Sequence, residues 1–111
     1  MKTIDWTRDE LVAYILLFAA NSDFKENNKE RNVIISKVDM KTFSEIHEEF
    51  DKDNDYQGIQ KIMTSLTQHN YDREDVEILL EDIKTLFFSD GDFNINERIM
   101  LKSLERLFKT L

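Results

Sequence analysis

Side-chain oxygens that alternate along a chain can wrap a hard cation, and this sequence alternates them twice. Asp90, Asp92, Asn94 and Asn96 take every second position of one stretch, and Glu97 follows at once. Asp51, Asp53 and Asp55 make the other series. Calcium is held by such oxygen donors, and the EF-hand loop places them at positions 1, 3 and 5. The match then stops. That loop needs glycine at position 6 and glutamate at position 12. The first stretch has Ile95 and Leu101 there, and the second has Tyr56 and Ile62. Neither is a standard EF-hand, so any cation site would be built differently, with Glu97 closing it from the following helix.

The same residue types also start helices without any metal. Asn94 and Glu97 have the spacing of a capping box, in which side chain and backbone satisfy each other's open hydrogen bonds. Asp90 and Asp92 lie close to that helix start, where negative charge is favoured. Capping and cation binding can share one loop. For the Asp51–Asp55 series the simpler reading is a solvated interhelical loop with Asp55 as an N-cap. The two histidines, His47 and His69, have no Ser, Cys or His partner at catalytic spacing. Neither a catalytic triad nor a zinc-protease motif is supported. The many acidic pairs read as surface charge.

The elements that position these loops are helices. Thr7 and Glu10 form a capping box, with Trp6 placed to staple onto Leu11. The helix that follows runs to about Asn21 and has two apolar faces, Leu11/Ile15/Phe18 and Val12/Leu16/Ala19, which predicts a central position. A second helix is expected from Asn27, using Ile34, Ile35 and Val38. Asp39 caps a third, with Met40, Phe43, Ile46 and Phe50 as its apolar face. Tyr56, Ile59, Ile62, Met63 and Leu66 mark a fourth. Asp72 caps a fifth, striped by Val76, Leu79, Leu80, Ile83, Leu86 and Phe87 at the helical period. Gly91 is expected to stop it. Leu101, Leu104, Leu107, Phe108 and Leu111 mark the last helix.

Two of the interhelical stretches are related. Ser22, Asp23, Asn27, Glu30 and Arg31 align without a gap on Ser89, Asp90, Asn94, Glu97 and Arg98. Each copy follows an apolar helix and precedes another. Two helix–acidic loop–helix units with approximate two-fold symmetry are therefore expected. Phe24 and Phe93, each inside a polar loop, read as anchors dipping into the core.

With Asp90-Gly91 and Glu97 in this arrangement, and Leu11–Ala20 as the opening helix, the chain resembles the tellurite-resistance protein B-like (TerB-like) family over most of its length. The first copy departs from the family pattern by carrying Phe24 where glycine is usual. The resemblance implies an all-α fold of about seven helices, pseudo-symmetric halves and a metal-binding role. Under it the candidate metal ligands are Asp90, Asp92, Asn94 and Glu97, with Asp23 and Glu30 as the weaker counterpart. A stress-related role comes with the family name alone.

Composition bounds the rest. A chain of 111 residues fits one domain, here 1–111. Apolar residues make up 41%, with no proline and only two glycines, which suits helices joined by short loops better than a β-rich fold. There is no cysteine, so disulfides, thiolate nucleophiles and zinc–sulfur sites are excluded. That and the lack of a signal-peptide pattern lead to the expectation of a cytoplasmic protein. The longest apolar run, Leu11 to Ala20, is about half of what a membrane span needs. A net charge of −8 repels nucleic-acid backbones and suits divalent cations, basic partners or plain solubility. The expected fold is thus an all-α bundle of six to seven helices. The expected function is a non-enzymatic binding or scaffolding module that takes a divalent cation, calcium first, through its acidic loops. The alternative is a metal-independent protein-interaction domain, and a carboxylate-based hydrolase ranks last.

Overall fold

The computed structural model describes residues 6–20, 38–88 and 95–110. Among them are five helices and no strand: α1 (Arg8–Ala20), α2 (Met40–Lys52), α3 (Asp55–Gln68), α4 (Arg73–Phe87) and α5 (Ile95–Phe108). The all-helical class is as expected; the described residues hold five helices, against the six to seven expected over the chain. The helix expected from Asn27 lies outside the described residues except for Val38, which is buried just before α2. Of the repeat, the first copy and most of the second also fall outside, leaving Glu97 and Arg98.

α1 is the central helix, and its composition explains why. Leu11 and every residue from Ala13 to Ala20 are buried, and α1 packs against all four other helices. A helix apolar on nearly all sides has no face to give to water. The neighbours are amphipathic and turn Phe43 and Ile46, Ile62 and Leu66, Leu79, Ile83, Leu86 and Phe87, and Leu101, Leu104 and Phe108 into one core. No helix among the described residues is long and apolar enough to cross a membrane. Ser65 is fully buried and finds no hydrogen-bond partner among the described residues. Such a group costs about 1–3 kcal/mol, which the apolar packing around it has to outweigh.

The helix starts are set by local hydrogen bonds. Thr7 and Glu10 make the expected box: the Glu10 amide donates to Thr7 Oγ1 at 3.1 Å and the Thr7 amide to Glu10 Oε1 at 2.9 Å. Asp39 caps α2 through the Thr42 amide at 2.7 Å. Asp72 and Asp75 form a box at α4. At α3 the expectation is corrected. The cap is Asn54, not Asp55, because Gln57 at the third helical position completes a box with Asn54. Asp55 instead opens the first turn, where its charge suits the helix dipole. α3 ends on His69 and on Asn70, which takes the left-handed conformation at φ 55°. The Tyr71 amide reaches back to Leu66 O and the Asn70 amide to Thr67 O, the Schellman pattern.

Two residues assigned to apolar faces are exposed instead: Met40 at 60% and Tyr56 at 72%. Both sit in the first turn of their helix, ahead of the part that lies on the core. Trp6, placed to staple onto Leu11, is buried with its ring 4.5 Å from that of Tyr14. Gly91 and Leu111 lie outside the described residues; α5 begins at Ile95, directly after Asn94.

Candidate functional site

Of the six candidate metal ligands, Asp23, Glu30, Asp90, Asp92 and Asn94 lie outside the described residues, as do Phe24 and Phe93. Glu97 is described. It stands in the first turn of α5 and is only 3% exposed, while its neighbours Asn96 and Arg98 face solvent. A carboxylate is rarely this withdrawn from water unless something compensates it. The positive end of the helix dipole contributes part of that compensation. Among the described residues, no three His, Asp or Glu side chains are grouped so as to hold a metal ion.

The Asp51–Asp55 series, read as a solvated loop, is spent on structure. Its three carboxylates diverge. Asp51 pairs with His47 Nδ1 one turn back at 3.1 Å. Asp55 is exposed on α3. Asp53 points inward, its side chain 11% exposed, and its Oδ2 accepts from the Tyr14 hydroxyl at 2.8 Å and from Lys61 Nζ at 2.8 Å. Lys61 Nζ also reaches Glu49 Oε2 at 3.0 Å, and Trp6 Nε1 donates to Glu49 Oε1 at 3.4 Å. Asp53 and Glu49 are thus two converging acids, and the ammonium of Lys61 already occupies the point where they converge.

The electrostatics follow from this geometry. Burial, then the hydrogen bond to Asp53, pushes the Tyr14 phenol above the ordinary tyrosine range and keeps it a donor. Burial works against the Lys61 ammonium, but its bonds to Asp53 and Glu49 outweigh that and hold it above the usual lysine value. The cluster ties α1, α2 and α3 together. A second tie joins α1 to α4: Arg8 Nη2 lies 2.9 Å from Asp75 Oδ1, and its guanidinium stacks 4.6 Å over Tyr71. His69 Nε2 donates to the Trp6 carbonyl at 2.9 Å, closing the end of α3 onto the segment just before α1.

Open surface lies elsewhere. The first turns of α4 face the last turn of α5, as antiparallel neighbours do, and leave a groove of about 470 Å³. Tyr71, Val76, Leu80 and Phe108 form its apolar lining, and Asp72, Arg73, Glu77, Glu105 and Lys109 its rim. A shallower groove continues over α4 past Ile78, which is 57% exposed between Glu74, Glu77 and Glu81. Another apolar groove of about 370 Å³ runs between α3 and α5 over Phe18.

No family model, no curated protein and no solved structure matches this chain. Function therefore has to be argued from the residues. Sequence reasoning missed the α4 groove because Val76 and Leu80 fit a core stripe. Both turn out half-buried at the stripe's edge. The available signal was Ile78, an apolar residue off the stripe and ringed by acids.

Proposed function

We propose that this chain is a non-enzymatic helical binding module that offers the α4 groove to a protein partner. The observation that carries this is the groove between α4 and α5, apolar in its floor and charged at its rim, with Ile78 left in water on the adjoining surface of α4. A groove with an apolar floor and a charged rim is a setting in which a partner segment docks. The groups suited to acid–base chemistry support the non-enzymatic part: Tyr14, Glu49, Asp53, Lys61, His47 and His69 are engaged in bonds between or within helices. The resemblance to the TerB-like family, with its two pseudo-symmetric units and about seven helices, agrees with a binding role, and the lack of cysteine with a cytoplasmic one.

A photo-crosslinking amino acid at Ile78 tests this in cells that express the chain. A discrete adduct is expected there and not with the same probe at Glu48 on α2, whose side chain is 74% exposed. No adduct at Ile78, or the same adducts at both positions, would overturn the reading.

A second role, cation binding by the acidic loop that precedes α5, rests on the alternating oxygens of Asp90, Asp92 and Asn94 with Glu97 beside them. Calcium at ten times its Kd would then stabilise the fold by about 1.4 kcal/mol. This is read as a rise in Tm of several degrees, lost when Asp90→Ala and Asp92→Ala are combined. An unchanged Tm at millimolar calcium, magnesium and manganese would remove this role and leave the groove reading intact.

A further inference from the structure

We infer that the occupant of the α4 groove is a basic amphipathic helix of another protein, an inference that rests on reading this groove as the binding face. The two grooves over α4 share Glu77 and Leu80 and so form one furrow. From Tyr71 to Lys84 the furrow follows about four helical turns, roughly 20 Å, the length of a short recognition helix. Between Tyr71 and Leu80 its floor is apolar and lies between α4 and α5, the setting in which an amphipathic helix docks with residues at i, i+3 or i+4, and i+7; from there to Lys84 it runs over α4 alone.

The rim selects the sign of the partner. Asp72, Glu74, Glu77, Glu81 and Glu105 border the furrow, against Arg73, Lys84 and Lys109. Two of these cations are engaged along α4 itself, Arg73 with Glu77 at 3.6 Å and Lys84 with Glu81 at 3.5 Å. Those pairs are exposed, with side-chain exposures of 94% and 66% for the first and 42% and 74% for the second. Exposed pairs of this kind contribute little, so an incoming lysine or arginine can replace either cation at small cost. A net excess of carboxylates on the rim and a chain charge of −8 attract a basic segment and repel an acidic peptide, an anionic lipid surface or a nucleic acid. The partner is accordingly a helix with an apolar stripe flanked by Lys and Arg.

The test uses the full chain, labelled with nitrogen-15, and three synthetic helical peptides of about four turns. The peptides share one leucine stripe and differ only in flanking Lys, Gln or Glu. The Lys peptide is expected to move the amide signals of residues 71–84 and 105–109, and to bind about tenfold tighter than the Gln peptide, with the Glu peptide weakest. Glu74→Lys combined with Glu81→Lys, both on the exposed face of α4, is expected to remove that preference while leaving the rest of the spectrum unchanged. If the Lys and Gln peptides bind this furrow equally well, the basic partner is wrong and the groove reading stands. If none of the three moves these signals, both fall. Signals that move only on other helices also overturn the inference.

Discussion

Replacing Tyr14 with alanine is expected to cost about 3–5 kcal/mol of folding stability, the range for deleting a large buried ring. Tyr14 is fully buried, its ring 4.5 Å from Trp6 and 5.5 Å from Phe50, and its hydroxyl holds Asp53. Tyr14→Phe keeps the ring and removes only the hydroxyl. Its cost is expected to be smaller, about 1.5–3 kcal/mol for a bond to a charged group, and toward the low end because Asp53 keeps Lys61. Urea unfolding of both variants measures the two parts. Equal costs would mean that the ring contributes nothing beyond its hydroxyl, and a cost near zero for Tyr14→Phe would mean that the network adds no stability. The pH dependence gives an independent check. The folded chain holds the Tyr14 proton more tightly than the unfolded one, so its contribution is complete below about pH 10, where free tyrosine ionises, and is lost as pH rises above that. Tyr14→Phe should therefore lessen the alkaline loss of stability.

Local rules made much of this fold readable. Thr7, Asp39 and Asp72 had to cap helices because the first backbone amides of a helix need acceptors, and the helical turn fixes the distance at which they find them. The two apolar faces of α1 left it no position but the centre. The same rules misplaced the start of α3, since Asn54 and Asp55 are both good caps and only Gln57, three residues beyond Asn54, decides between them. Met40 and Tyr56 matched the period of their helices but lie in first turns that extend past the core. What no local rule could show is partnership at a distance. Asp53 looked like one more solvated acid. Its role depends on Tyr14, 39 positions away, and on Lys61 one helix later. The groove along α4 was hidden for the same reason: periodicity gives the face that turns inward, while the width of that face depends on how closely α5 approaches. The acidic loop remains readable only as a pattern, with Asn96 and Glu97 its members among the described residues, and the burial of Glu97 fits a cap and a ligand equally.

Gly58 joins these threads: alanine there is expected to be roughly neutral, and a bulkier residue to cost more than its helix propensity returns. Gly58 stands inside α3, where glycine is a poor helix former. In the structure it is buried where α3 meets α1, and a Cβ at this position would lie 3.1 Å from the Tyr14 hydroxyl oxygen and 3.2 Å from Phe18 Cδ2 and Cε2. The two neighbours differ in how they can respond. Phe18 lines the groove between α3 and α5 and is 8% exposed, so its ring has room to shift. The Tyr14 hydroxyl is held by Asp53 from one side and by ring packing from the other. Gly58→Ala gains up to about 1 kcal/mol of helix propensity, which the forced shift of Tyr14 roughly cancels. Gly58→Leu adds bulk that cannot be absorbed and is expected to cost about 1–3 kcal/mol or more. Both changes are measured in the native chain and in Tyr14→Phe, where the oxygen 3.1 Å away is gone. If the hydroxyl is the hard contact, each substitution costs less in the Tyr14→Phe background, and Gly58→Ala becomes stabilising there. Identical costs in the two backgrounds would place the resistance at Phe18, and the polar network would then hold the helices together without setting how closely they approach.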